Sequence, residues 1–132
     1  MSAETQDVPM EESPAPEVQV SKNDPRLRSI KIKTGSVKRL HKDVLYYQKE
    51  LVQHTEKVEK MKADGAPAKE VLHWEDMKNE TSRVIPDVTR RLKETFEDLK
   101  NVLQQEDDLK EEEVYKVAEA ALNEAAGTIQ AV

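Results

Sequence analysis

Glu70 and His73 stand three residues apart, the spacing at which two metal ligands leave one face of a helix in di-iron bundles. Such a centre needs a second Glu-x-x-His pair and two more glutamates from facing helices, and the chain has no second pair. Glu70 and His73 therefore read as two surface side chains. His41 and His54 are thirteen residues apart and have no cysteine to join them. His54 instead reads as a residue tolerated in a helical seam. Cysteine is absent, which excludes disulfides, thiolate zinc sites and cysteine nucleophiles. Glycine occurs only at positions 35, 65 and 127, so no glycine-rich loop can cradle a phosphate. Asn79-Glu80-Thr81 has the form of a glycosylation acceptor, but it falls inside a predicted helix in a chain read as non-secreted and is discounted. No catalytic set, metal site or cofactor is expected. The chain reads as a binding protein and not as an enzyme.

Two features offer binding chemistry. Ile30-Lys-Ile-Lys-Thr-Gly-Ser-Val-Lys-Arg-Leu40 is the densest basic stretch. It could meet nucleic acid, but the aromatics that stack on unpaired bases are missing from it. The chain's net charge of −6 also opposes a polyanion, so no nucleic-acid partner is expected. Residues 25–62 hold eleven bases against four acids, whereas residues 106–132 hold eight acids against two bases. Those two segments can attract each other within a bundle, or the basic one can meet an acidic partner. The second feature is apolar. Ile32, Leu45, Tyr46 and Val52 fall on the outward side of the predicted first helix, among lysines. Exposed apolar residues in that setting suggest a protein contact surface, unless neighbouring lysine and glutamine stems cover them. Lys31, Ile32, Lys38, Arg39, Leu45, Tyr46 and Val52 are the candidate partner-binding residues.

The elements that must carry this face follow from periodicity. Ile30, Val37, Val44, Leu51 and Val58 recur every seven residues, with Leu40, Tyr47, His54 and Met61 three after the last four; Lys33 interrupts the set. That is a heptad stripe on one long helix, about residues 26–62, roughly 55 Å in length. Asp24-Pro25 is its start signal and Gly65 closes it, with Pro67 opening the next helix. A second stripe of Val71, Trp74, Ile85, Val88, Leu92, Leu99 and Val102 spans about residues 68–105, with Thr81 and Thr95 filling two places. Pro86 lies outward within it and predicts a kink, because the carbonyl of Ser82 loses its donor. The third helix is expected over about residues 109–126, with Tyr115, Ala118, Leu122 and Ala125 as its stripe and Gly127 as its stop. The fold class is all-α: an elongated, antiparallel, up-down-up three-helix bundle of spectrin-like form over residues 24–127. Residues 1–23 read as a disordered acidic extension, because Pro9, Pro14 and Pro16 interrupt an aperiodic polar stretch. Residues 128–132 read as a C-terminal tail. No leader or membrane-spanning run is recognised, so no membrane partner is expected.

Two motifs carry a family resemblance. Asp24-Pro-Arg-Leu-Arg-Ser-Ile-Lys-Ile-Lys-Thr-Gly-Ser-Val-Lys-Arg-Leu40 resembles the opening of the tubulin-specific chaperone A family, also called tubulin folding cofactor A. Val84-Ile-Pro-Asp-Val-Thr-Arg-Arg-Leu92, followed by Asp98-Leu99, resembles the same family's mid-chain signature. The similarity covers about residues 24–125. It implies a cytoplasmic three-helix rod associated with the cytoskeleton and microtubules. It further implies capture of β-tubulin without ATP, downstream of the chaperonin, and hand-over towards other tubulin-folding cofactors. Residues 1–23 depart from the family, whose members usually begin near the Asp-Pro-Arg. The alternative reading is an architectural coiled-coil subunit of a larger complex, with stripes paired between chains. For the rod itself a monomer or weak dimer is expected.

Overall fold

The computed structural model describes residues 24–131; the extension read over residues 1–23, and Val132, lie outside the described residues. Helix α1 runs Pro25–Ala63, α2 Ala68–Gln105 and α3 Glu113–Ala131, with a 3-10 turn at Asp107–Leu109 between the last two. Among the described residues there is no strand.

The first helix starts where its caps demand. The Asp24 carboxylate accepts the backbone N–H of Arg26 at 2.8 Å, and Pro25 takes the first turn, where its missing donor costs nothing. At the far end Gly65 adopts φ 70°, and the N–H of Ala66 donates to the carbonyl of Met61 at 2.9 Å. That left-handed residue and its back-reaching bond end α1. Lys60 and Lys62 in the last turn complement the negative end of the helix dipole. The chain then reverses at once, so α2 packs antiparallel along α1.

The heptad stripe faces inward as predicted. Ile30, Val37 and Val44 are fully buried, and Leu27 and Leu40 nearly so. They meet Val88, Leu92, Leu99 and Leu103 of α2, and Tyr115, Ala118, Leu122 and Ala125 of α3. Lys33, which breaks the stripe, keeps its stem at the seam and sends its ammonium to Asp98 at 2.6 Å. Thr34 is buried beside it and donates its hydroxyl to the Ile30 carbonyl at 2.7 Å.

The third helix begins and ends elsewhere than expected. Leu109, predicted to open it, sits in the 3-10 turn and is fully buried. Glu106, Asp107 and Asp108 would crowd the negative pole of a continued α2, and the backbone leaves helical geometry at Glu106 (φ −104°, ψ 41°). Leu109 then anchors the corner from within, and α3 starts only at Glu113. Gly127 does not stop the helix: α3 continues to Ala131. Nothing there requires a positive φ, and Ile129, seven residues after Leu122, packs on the core and extends the stripe. Residues 128–131 are therefore part of the bundle and not a tail. The phenol of Tyr115 donates to the Leu103 carbonyl at 3.0 Å, which closes the α2–α3 corner. Thr128 lies 2.7 Å from Nε2 of His41, so α3 ends against the first half of α1 and runs parallel to it.

Pro86 lies inside α2, which passes through it without a break. It is exposed, as its outward heptad place requires. Pro86→Ala restores one backbone donor and removes no packing, so thermal unfolding is expected to show unchanged or raised stability. A loss above about 1 kcal/mol would contradict this. Thr89 presents the opposite case. It is buried, and its hydroxyl has no hydrogen-bond partner among the described residues. Thr89→Val keeps the shape and removes the orphaned hydroxyl, and urea unfolding should show a gain on the order of 1 kcal/mol.

Candidate functional site: the outward face of the first helix

All seven candidate partner-binding residues are exposed. Ile32 is 63 % exposed, Tyr46 58 %, Val52 55 % and Leu45 47 %, and Lys31, Lys38 and Arg39 lie in the open beside them. Their spacing orders them into two rows. Lys31, Lys38, Leu45 and Val52 follow one another at seven-residue steps, and so do Ile32, Arg39 and Tyr46. At about 100° per residue the two rows run side by side along one face of α1. The face is graded along its length: basic towards the start of the helix, apolar towards the middle. From Lys31 to Val52 it spans roughly 32 Å.

The cations of the basic end are not consumed by the bundle. Arg28, Lys31, Lys38, Arg39 and Lys42 have no ion-pair partner among the described residues. The expected attraction between the basic and acidic segments is confined to one corner. There Arg26 reaches Asp24 at 3.0 Å, Asp108 at 2.9 Å and Glu106 at 3.4 Å. The hydrogen bond from Arg26 is the main reason the Asp24 carboxyl stays below its usual range, and Asp24 in turn raises the guanidinium.

Tyr46 is anchored on this face. Its hydroxyl donates to Glu50 at 2.7 Å, and its ring meets that of Tyr47 edge-on at 5.3 Å. The hydrogen bond to Glu50, and then the negative charge of that carboxylate, push the phenol above the usual tyrosine range.

A shallow groove of about 290 Å³ opens beside the basic row. Lys31, Thr34, Gly35 and Lys38 of α1 form one wall, and Glu113, Val114 and Val117 of α3 form the other. Val114 and Val117 were not among the predicted site residues. The apolar pairs Val114-Tyr115 and Val117-Ala118 were the available signal, since they make the apolar face of α3 wider than a single stripe. Leu72, 56 % exposed near the start of α2, was also missed.

The remaining chemistry-bearing residues do not converge. Glu70 and His73 are both exposed on α2. His54 sits in the seam, 3.3 Å from the Thr81 hydroxyl and edge-on to Trp74. Among the described residues no three His, Cys, Asp or Glu side chains are placed to hold a metal ion. None of the described helices is long and apolar enough to cross a membrane. Of the three structural residues predicted, Gly65 closes the turn and Pro86 lies in α2 as read, whereas Gly127 is an interior residue of α3.

The family model described as tubulin binding cofactor A matches residues 25–122, which takes in nearly all of this bundle. The chain belongs to that family. A rat relative named tubulin-specific chaperone A is 45 % identical over 100 residues, covering 76 % of this chain and 93 % of the relative. The solved structure of human tubulin chaperone cofactor a superposes with a TM-score of 0.70 at 41 % identity, over 77 % of this chain and 99 % of that one. The crystal structure of tubulin folding cofactor A from Arabidopsis thaliana gives 0.69 at 28 % identity, over 78 % and 97 %. The rod with two long helices and a shorter third is thus the family's architecture. The residues before Pro25 lie outside the family match.

The Tyr46–Glu50 contact can be checked by ultraviolet difference titration of the phenols. In Glu50→Gln the Tyr46 transition should move down towards the usual tyrosine range, and Tyr46→Phe should remove that same transition. Tyr115, raised chiefly by its burial, should be unaffected by either change.

Proposed function

We propose that this chain binds and holds β-tubulin, without ATP, during assembly of the αβ heterodimer. It presents the outward face of α1 to its partner and passes it on to other tubulin-folding cofactors. It works in the cytoplasm, in association with the microtubule cytoskeleton. The observation that carries the reading is the apolar row Leu45–Val52, with Ile32 and Tyr46 beside it, exposed on a charged helix in a family named for tubulin binding. Apolar side chains set among lysines give a partner both buried area and steering charge. A rod that meets its partner along one side matches a holding task better than an enclosing one. Independence from ATP is supported by the lack of any glycine-rich run. The non-catalytic character is supported by the relatives' names, which are those of chaperones. The stripes of all three helices bury one another within a single chain, which favours a monomer over the architectural alternative.

Alanine at Lys31, Lys38, Arg39, Leu45 and Val52 together tests the surface. All five side chains are exposed, so helicity and the melting temperature are expected to stay the same. Capture of β-tubulin at moderate salt should fall at least about tenfold, the equivalent of ~1.4 kcal/mol. The assay includes α-tubulin and total RNA as competitors. Undiminished capture would remove the face from the proposal, and retention of RNA in place of β-tubulin would overturn the function.

A further inference from the structure

Gly35 is a glycine the fold does not need. It lies inside α1, where glycine is the least favourable residue after proline. A Cβ built there meets nothing within 4 Å, and the residue has no positive φ. Neither backbone conformation nor close packing accounts for it. What its missing side chain does provide is an open α1 side to the groove of about 290 Å³ between α1 and α3.

That groove is amphipathic. Val114 and Val117 make its α3 wall apolar, and Val117 is 37 % exposed. Lys31 and Lys38 stand on the α1 side, and neither has an ion-pair partner among the described residues. The Thr34 hydroxyl is already committed to the Ile30 carbonyl at 2.7 Å. Glu113 is the one acid of the lining, and it pairs with neither lysine. Gly35 is also the centre of a wider basic stripe. At about 100° per residue, Arg28, Lys31, Lys38, Arg39 and Lys42 fall within about 60° of it, and no acid between Pro25 and Lys49 shares that arc.

The two linings together ask for one kind of occupant. The unpaired cations are complemented by carboxylates, and the valines by an aliphatic side chain. Pockets for whole small molecules run from ~300 to ~1,000 Å³, so this shallow groove suits the side chains of a passing peptide better. A nucleic-acid strand would satisfy the lysines and waste the valines, since no aromatic side chain lines the groove to stack on a base. Lys31 and Lys38 lie roughly 10 Å apart along the helix axis, a distance that about three residues of extended peptide span. Carboxylates at that separation reach both lysines, with an aliphatic side chain between them beside Gly35. Lys31 and Lys38 share their seven-residue row with Leu45 and Val52, so a segment seated here continues onto the apolar part of the α1 face.

We propose that the groove between α1 and α3 seats an acidic segment of the protein partner. One aliphatic side chain of that segment enters between Gly35 and the pair Val114 and Val117, and its flanking carboxylates meet Lys31 and Lys38. The site extends the partner surface from α1 onto α3 and gives Gly35 a task in recognition. The groove's preference for such a segment stands on charge and shape alone; the identity of the partner rests on the reading of the α1 face given above.

The probe is an oligoglutamate peptide with one central leucine, titrated at low salt into the full-length protein while amide chemical shifts are followed. Shifts should concentrate at Lys31–Lys38 and Val114–Val117. A control peptide with serine in place of the leucine should bind about tenfold more weakly, the loss that burying one leucine side chain predicts. Lys31→Gln/Lys38→Gln should weaken both peptides about tenfold. Glu113→Gln removes the opposing charge and should tighten both about twofold. Gly35→Leu fills the groove without a clash, so the leucine and serine peptides should then bind alike. Its melting temperature should be unchanged or raised, because leucine is the better helix former. Shifts centred on another face, or no advantage for leucine in the unaltered protein, would overturn the groove. A leucine advantage that survives Gly35→Leu would overturn the place given to Gly35. Tighter binding of an oligouridylate than of the leucine peptide would overturn the acidic-peptide assignment in favour of nucleic acid. Gly35→Leu should also lower capture of β-tubulin at least about threefold, and undiminished capture would overturn the groove's part in holding that partner. If the unaltered protein captures no β-tubulin, the functional reading fails, and the peptide titrations still decide the groove.

Discussion

The short third helix sets the terms for the rest of the molecule. α1 has 39 residues and α2 has 38, but α3 has only 19. A three-sided core therefore exists only along the lower half of the rod. The contiguous buried cluster respects this limit: from α1 it takes Leu27 to Val44, and from α2 Val88 to Leu103. In a chain that is 36 % charged, apolar side chains are too few to fill a longer core, and they are gathered where three helices can enclose them. Fixing α3 in place is then the critical step. Leu109 buries itself at the corner, Tyr115 ties that corner to α2, and Arg26 draws the acidic turn towards the start of α1.

Above the end of α3 the hairpin of α1 and α2 continues alone for about 30 Å. Its seam is of a different kind. Val58 is buried there, but Leu51, Met61, Val71, Trp74 and Met77 are only half-buried, because two helices enclose fewer side chains than three. Polar residues take some inward places: Thr81 is buried, sharing its hydroxyl with His54 and Glu50 at 3.3 Å each. Trp74 gains edge-on contacts with His54 and His73 and the Lys57 ammonium 5.1 Å from its ring. Segments with few buried apolar contacts open at lower free energy than the core they extend. A firm base and a looser upper hairpin follow from one difference in helix length.

The candidate face is separated from the core by the geometry of α1 itself. A stripe of one side chain per 3.5 residues leaves most of the helix surface outside the seam. Stability therefore says nothing about what stands at Lys31, Arg39, Leu45 or Val52. Those positions hold cations with no ion-pair partner among the described residues and exposed apolar side chains, none of which packs in the core.

Much of this was legible in the sequence, because the signals involved are local. Heptad spacing orients each helix, since side chains seven apart return to one face whatever the helix packs on. The Asp24-Pro25 cap, the Gly65 turn and the outward place of Pro86 likewise depend on a few neighbouring residues. Exposure of the seven candidate residues followed from the same phase. The tertiary structure alone decided the corner and the groove. Leu109 leaves the third helix because a buried site is waiting for it, and Arg26 meets Glu106 across 80 residues of chain. Gly127 continues a helix because Ile129 beyond it finds the core. Val114 and Val117 face Gly35 only because α3 lies beside α1, a pairing no local pattern encodes. Periodicity tells which face of a helix is buried; which other helix buries it depends on contacts between distant parts of the chain.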